Sequence, residues 1–169
     1  MANDEQTPEA LARLLAEHGA ALVLYARQWT TAPEDVVQNA LVELVTQSTP
    51  PARVVPWLYR VVRNGAISAQ RGERRRLRRE TAVAASESWF EAGSSRLDAA
   101  EAAATLALLP AEIREVVVAR IWGELTFAEI AELTGTSLST AQRRYEQGLR
   151  ELQSRLEKPC KTQPPHTTT

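Results

Sequence analysis

The sequence predicts an all-α protein of two small helical domains, the second a helix-turn-helix, joined by a flexible acidic linker. Apolar residues recur at helical spacing in most segments, and no alternating strand pattern extends beyond a few residues. The 169 residues include only seven glycines and are rich in Ala, Leu, Glu and Arg. An Arg-rich segment is followed by an acidic one, although the net charge of the whole chain is −1. This change of sign indicates separate units on either side of it.

The first two predicted helices begin at polar caps. Thr7 and Pro8 open the first helix, since a hydroxyl can cap free N–H groups and proline suits the first helical position. We interpret His18 as a packed histidine rather than a ligand, because no second candidate ligand lies at a useful spacing. Thr31 and Glu34 form a capping-box pattern before the second helix. The outward face of that helix consists of Asp35, Gln38, Asn39 and Val42. These residues suit a protein partner, or form a solvated face with one exposed valine.

The third predicted helix, opened by Pro56, carries the highest local charge. Nine arginines and one acidic residue, Glu73, lie between Arg53 and Arg79. Arginine favours bidentate contacts with phosphates, and aromatic side chains placed among arginines suit stacking on unpaired bases. A solvated Arg-rich helix end is the alternative. The candidate residues for single-stranded nucleic acid are Trp57, Tyr59, Arg60, Arg63, Asn64, Arg71, Arg74 and Arg75.

Residues 125–156 predict a helix-turn-helix. Thr126 and Glu129 form a capping box, Gly135 supplies a left-handed helix end, and Ser137 can cap a longer second helix. A polar, Arg-bearing N-terminal face on that helix suits the DNA major groove; an ordinary helical hairpin is the alternative. The candidate residues for duplex DNA are Ser139, Thr140, Gln142, Arg143, Arg144, Glu146 and Gln147. A further helix precedes this motif, with Ile113, Val116, Val117 and Ile121 as its predicted inner face.

These patterns predict four segments. We expect domains at residues 1–80 and 106–157, a linker at 81–105 and a disordered tail at 158–169. A single cysteine, Cys160, excludes an internal disulfide and a multi-cysteine zinc site. We expect no metal, cofactor or catalytic residue, because two histidines and no Gly-rich phosphate loop leave little from which to build an active site. Without a signal sequence or membrane-spanning run, we expect a soluble cytoplasmic protein.

The order of these segments resembles the extracytoplasmic-function (ECF) sigma factors of bacterial RNA polymerase, a short group of the sigma-70 family. The resemblance rests on APEDVVQNALVEL, on PWLYRVVRNGAIS with the arginines after it, and on LPAEIREVVVARIWGELTFAEIAELTGTSLSTAQRR. It implies a two-domain all-α fold that binds the clamp and flap of the polymerase core. It also implies promoter DNA as a partner, and an anti-sigma factor as a candidate partner.

The resemblance also implies roles for the candidate residues. Asp35, Gln38, Asn39 and Val42 match the helix that binds the clamp of the largest subunit. Residues from Trp57 to Arg75 match the segment that opens the −10 element, and the second helix of the helix-turn-helix matches the reader of the −35 element.

The chain departs from the family pattern at Ser68, where aspartate is frequent, and at Glu146 and Gln147, where further arginine or an aromatic is common. Glutamate can accept a hydrogen bond from cytosine and glutamine can pair with adenine, so we expect a promoter sequence different from that of relatives. A free-standing helix-turn-helix regulator is the alternative function. It would explain residues 110–156 but not the Arg53–Arg79 cluster.

Overall fold

The computed structural model describes residues 7–80 and 105–156, and every regular element in these two ranges is a helix. This confirms the all-α fold class. The predicted tail and all of the predicted linker except Thr105 lie outside the described residues. The helices are α1 (Pro8–Ala26), α2 (Pro33–Thr46), α3 (Val54–Glu80), α4 (Ala111–Ile121), α5 (Phe127–Thr134) and α6 (Leu138–Leu156).

The helix starts agree with the sequence at α1 but not at α2. Thr7 caps α1, since its Oγ1 accepts a hydrogen bond from the Ala10 N–H at 3.2 Å. The capping box predicted at Thr31 and Glu34 is wrong. Helix α2 begins at Pro33, so Ala32 occupies the cap position and no side chain caps the helix. The Glu34 carboxylate instead accepts a hydrogen bond from the Arg27 guanidinium at 3.3 Å.

Helices α1, α2 and α3 pack around an apolar core. α3 begins at Val54 rather than at the predicted Pro56. Pro56 lies in the first helical turn, where its missing N–H removes no intrahelical hydrogen bond, so the helix can start before it. Each of the three helices contributes large side chains with almost no solvent exposure. The principal ones are Leu22 and Tyr25 from α1, Val37 and Leu44 from α2, and Leu58, Tyr59 and Val62 from α3.

Helix α4 is buried on most of its circumference. Val116, Val117 and Val118 are each 0% exposed, and successive residues of a helix point about 100° apart. Val116 and Val118 belong to the core formed by α1, α2 and α3, while Val117 packs in a second cluster with Leu106, Leu109, Ile113 and side chains of α6. α4 therefore lies between the N-terminal helices and α6. The predicted inward orientation of Ile121 is wrong: it is the last residue of α4 and is 43% exposed.

The close approach of α6 to α4 depends on Gly148. A Cβ at this position would lie 2.9 Å from Ile113 Cγ2 and closer still to Val117 Cγ2. Both neighbours are β-branched and buried, and such side chains have little freedom to move aside. The absence of a side chain at Gly148 thus sets the separation of the two helices.

We expect Gly148→Ala to lower the free energy of unfolding by roughly 1–3 kcal/mol through overpacking, offset in part by better helix propensity. Gly72→Ala is the matched control, because a Cβ there meets nothing within 4 Å in the interior of α3. Denaturant unfolding of both variants measures the difference. A Gly148→Ala chain as stable as the Gly72→Ala chain would contradict this account of the α4–α6 contact.

Candidate nucleic-acid interface

Helices α5 and α6 form the predicted helix-turn-helix. Thr126 and Glu129 complete the capping box: Oε2 of Glu129 accepts a hydrogen bond from the Thr126 backbone N–H at 2.6 Å, and Thr126 Oγ1 accepts one from the Glu129 N–H at 3.3 Å. Gly135 ends α5 in the left-handed region with φ of 66°, which glycine adopts without steric cost. Ser137 Oγ accepts a hydrogen bond from the Thr140 N–H at 3.2 Å at the start of α6. All three predicted devices are confirmed.

The outward side of α6 carries most of the candidate residues for duplex DNA. Ser139, Gln142, Arg143, Glu146 and Gln147 are exposed, while Thr140 and Arg144 are partly buried. Four members already have side-chain partners in the protein. The hydroxyl oxygens of Ser139 and Thr140 lie 3.1 and 2.8 Å from Ser137 Oγ. Arg144 forms an ion pair with Glu112 of α4 at 3.4 Å, and Gln147 Nε2 donates a hydrogen bond to Glu151 Oε1 at 2.9 Å.

Arg143 differs from these residues because it forms no ion pair within the described ranges. Its guanidinium is exposed in the second turn of α6, on the side opposite the buried Ala141. An unpaired, exposed guanidinium near the start of such a helix can meet a base edge or a phosphate in the major groove.

A second polar stripe follows one side of α3. Arg60, Asn64, Arg71 and Arg75 recur at spacings of four, seven and four residues, and all are exposed. Ser68 lies on the same stripe, between Asn64 and Arg71, and is also exposed. The candidate Arg74 is exposed as well. This arrangement places several guanidinium groups along one helix, where they can follow a nucleic-acid backbone.

Three candidate residues of α3 do not lie on this exposed stripe. Tyr59 is 0% exposed and packs edge-on against Tyr25, with ring centroids 4.9 Å apart. Trp57 is partly buried against the core. The Arg63 side chain is 26% exposed, and its Nε lies 2.6 Å from Oε1 of Glu115 in α4. Sequence reasoning grouped these residues with the exposed arginines, but the structure places them between α3 and its neighbours.

Glu115, which the sequence did not single out, is a buried carboxylate next to the candidate residues. Its side chain is only 8% exposed, and its Oε1 accepts hydrogen bonds from Arg63 and from the Tyr25 hydroxyl, the latter at 2.7 Å. The available signal was a carboxylate directly before Val116 and Val117, two residues of the predicted inner face, since a buried charge requires a partner.

The ionisation of these partners agrees with their geometry. Burial raises the pKa of Tyr25 well above its usual value, and the charge of Glu115 raises it further, so the hydroxyl remains a donor. Burial alone would lower the pKa of Arg63, but the hydrogen bond and charge of Glu115 outweigh it and the pKa is raised. Glu115 therefore accepts from one neutral donor and one cation.

The candidate protein-binding residues share one exposed face of α2. Asp35, Gln38, Asn39 and Val42 are all exposed, and Val42 is 57% exposed. Buried Val37, Ala40 and Leu44 hold the opposite side of the helix against the core. α2 thus presents a polar surface that includes one large exposed apolar side chain, Val42.

The part of the chain that the structure describes contains neither a metal-binding cluster nor a helix that could span a membrane. There, no cluster of three or more His, Cys, Asp or Glu side chains could bind a metal ion. No described helix combines the length and apolar character needed to cross a membrane.

Comparisons with known proteins agree with this geometry. A family model described as "Sigma-70, region 4" matches residues 99–152. A solved structure of CnrH in complex with the cytosolic domain of CnrY is 25% identical; the match covers 91% of this chain and 92% of that chain, with a TM-score of 0.60. A co-crystal structure of the sigma factor RpoE with the anti-sigma factor NepR from Bartonella quintana is 20% identical, covering 91% and 100% of the two chains with a TM-score of 0.68. No curated protein matches the sequence significantly.

The geometry at Glu129 predicts a pH dependence of stability. Burial would raise the pKa of this carboxyl, but hydrogen bonds from Thr126 and the ion pair with Arg53 outweigh burial and lower it from the usual 4.5. Because its pKa is lower in the folded state, the ionised carboxylate stabilises the fold at pH values above its usual pKa. This contribution to stability is lost as the pH falls through the lowered pKa. Glu129→Gln should therefore lower the free energy of unfolding by about 1 kcal/mol at pH 7. It should leave that free energy unchanged once the carboxyl of the wild-type chain is protonated.

The measurement is the free energy of unfolding from pH 7 to pH 3 for the wild-type and variant chains. Glu132→Gln is the matched control, because Glu132 is exposed on the same helix. A constant difference between wild type and Glu129→Gln across this range would show that the charge of Glu129 is not what stabilises α5.

Proposed function

We propose that this chain, which is similar to extracytoplasmic-function sigma factors in its region 4 match and in its fold, binds core RNA polymerase and directs promoter-specific transcription initiation. The observation that carries this proposal is the α5–α6 helix-turn-helix, with its capped helices and exposed Arg143, inside the segment that the region 4 model matches. In this role α6 enters the major groove of the −35 element, and Ser139, Thr140, Gln142, Arg143, Arg144, Glu146 and Gln147 face the DNA.

The stripe on α3 supplies the second DNA contact of the proposed role. Exposed arginines can neutralise phosphates of the opened −10 strand, and Asn64 can hydrogen-bond an extruded base. These contacts replace the lost base pairs. Tyr59 is fully buried and Arg63 is paired with Glu115, so neither side chain contributes in the packed arrangement. Strand opening then uses binding energy and requires no covalent chemistry from this chain. Its place of action is the cytoplasm, where it meets the polymerase.

The domain division predicted from the sequence fits this role. Residues 1–80 would bind polymerase and the −10 element, and residues 106–157 the −35 element. The exposed face of α2 is the proposed contact with the clamp of the largest subunit, and the flap is the proposed contact of the second domain. RpoE, one of the similar proteins, was solved with the anti-sigma factor NepR. We extend that kind of partner to this chain as part of the proposal.

Run-off transcription with purified bacterial core polymerase tests the function. The promoters come from a selection of random DNA templates by the reconstituted holoenzyme. Promoter-dependent transcripts that require the chain are the expected result. Absence of core binding together with tight, polymerase-independent binding to duplex DNA would replace the proposal with a free-standing regulator.

Arg143→Ala should weaken recognition of the upstream element by roughly 1–3 kcal/mol if Arg143 makes a bidentate base contact. The measurement is holoenzyme affinity for the selected promoter and for versions with single changes in that element. Arg150→Ala is the matched control, because Arg150 is exposed two turns further along α6. An equal loss of affinity on every version of the upstream element would instead show that Arg143 contacts a phosphate.

Asp35→Arg should reduce affinity for core polymerase roughly tenfold, or by about 1.4 kcal/mol. The physical reason is charge reversal within the proposed clamp contact, on a side chain that is exposed in the free chain. Fluorescence anisotropy of the labelled chain measures the affinity. Glu17→Arg gives the same change of charge on an exposed position of α1, and circular dichroism checks that α2 remains folded. Unchanged affinity for core polymerase would show that this face of α2 is not part of the interface.

A further inference from the structure

The side-chain amide of Gln147, on the outward side of α6, is held in one orientation. Its Nε2 donates a hydrogen bond at 2.9 Å to Oε1 of Glu151, one turn further along the helix. Residues four positions apart are neighbours on a helix surface, so this pair forms without any change in the backbone. An ionised carboxylate only accepts hydrogen bonds. The amide therefore turns its NH2 group, and not its carbonyl oxygen, toward Glu151.

The backbone that carries Gln147 is fixed as well. Gly148, the next residue, is buried against α4, where a Cβ would lie 2.9 Å from Ile113 Cγ2. Rotation of α6 at this point would bring a neighbouring side chain into a gap that only a glycine fits. A side chain that reads a ligand gains specificity when the groups behind it are held in place. Both the position of Gln147 and the orientation of its amide are thus defined before DNA binds.

The neighbouring arginine is directed away from this pair. Arg144 lies three residues before Gln147 on the same side of α6, but its guanidinium pairs with Glu112 of α4 at 3.4 Å. The Arg144 side chain is 25% exposed, so it lies along the protein surface toward α4. A cation drawn to Glu112 leaves the Glu151 carboxylate to the amide.

The fixed amide matches one base edge better than the others. With its NH2 group toward Glu151, Gln147 retains Oε1 and its second N–H for DNA. Adenine presents an amino donor and the N7 acceptor in the major groove, so it can meet both groups. Guanine presents two acceptors there, N7 and O6, and would place one of them against the Gln147 carbonyl oxygen. If the amide turned to offer guanine both N–H groups, its carbonyl oxygen would face the carboxylate of Glu151.

We propose that Glu151 is a positioning residue that fixes the amide of Gln147, so that this point of α6 selects adenine and rejects guanine. The inference rests on the proposed binding of α6 to duplex promoter DNA, and it names the base that one residue of the helix reads. Glu151 itself contacts no base and acts through Gln147. Its negative charge also repels phosphates and so lowers affinity. Removal of Glu151 should therefore lower selectivity while it leaves affinity equal or raises it.

The orientation of the amide is tested in the free, full-length chain by nuclear magnetic resonance. The side-chain NH2 signals of Gln147 are assigned by their loss in Gln147→Ala. In the wild-type chain, one of the two protons should exchange with water about twofold more slowly than the other, because a hydrogen bond to Glu151 protects it. Glu151→Ala should abolish this difference.

Glu132→Ala is the matched control for this measurement, because Glu132 carries the same charge and is exposed on α5. It should leave the difference between the two protons of Gln147 unchanged. Equal exchange of both protons in the wild-type chain, or a difference that survives Glu151→Ala, would overturn the proposal. This result is independent of polymerase, so it does not depend on the proposed function.

Base preference is measured by selection from a random duplex library. The protein is the reconstituted holoenzyme or, if the chain binds duplex DNA without polymerase, the full-length chain alone. The position at which Gln147→Ala removes a preference is the one that Gln147 reads. There, Glu151→Ala should lower the preference for adenine over guanine roughly two- to fivefold, which is part of the discrimination that a bidentate contact supplies. Glu132→Ala should not change it.

Glu151→Ala in the Gln147→Ala background separates positioning from charge. Without the amide, removal of Glu151 should leave every base preference as it is in Gln147→Ala alone. A further change would show that Glu151 acts on DNA directly and would overturn the proposal. So would an adenine preference that is equal in Glu151→Ala and the wild-type chain, or a Gln147→Ala chain that loses no preference. Absence of promoter-dependent run-off transcripts would instead refute the proposed function.

Discussion

The burial of α4 is the constraint on which the rest of the fold depends. Three successive valines of this helix have no solvent exposure, so it requires apolar partners on more than one side. Helices α1 and α3 cover one side and α6 covers another. A helix buried on most of its circumference cannot remain isolated in water, because the apolar area it would expose is too large. This requirement draws the halves of the chain together.

The polar group inside that apolar contact makes it specific. Burial of the Glu115 carboxylate among valines costs free energy unless hydrogen-bond donors are held in place around it. Tyr25 and Arg63 supply donors from two different helices, so only one rotation of α4 satisfies the charge. Apolar packing alone would tolerate other rotations of a valine-rich helix. The same interaction therefore defines the geometry of the contact and makes it sensitive to anything that competes for Arg63.

Local chemistry was predictable from the sequence, whereas contacts between distant segments were not. The Thr126–Glu129 capping box and the left-handed Gly135 were predicted because both depend on residues at most a few positions apart. The failed capping box at Thr31 shows the limit even there, since Pro33 shifted the helix start by one residue. The exposed stripe from Arg60 to Arg75 followed from helical periodicity. The burial of Tyr59 and Arg63 did not follow from it, because Tyr59 packs against Tyr25 of α1 and Arg63 pairs with Glu115, which lies 52 residues later.

Helix α6 divides its surface between two unrelated requirements. Ala141, Tyr145, Gly148 and Leu152 face the protein, and a side chain at Gly148 would crowd Ile113 and Val117 of α4. Gln142, Arg143, Glu146 and Gln147 face outward and contribute nothing to that packing. Substitutions on the outward face can leave the fold intact, while those on the inward face disturb the packing against α4. In the proposed role, a new promoter preference therefore requires changes on the outward face only, and the glycine behind them keeps the helix in the same place throughout.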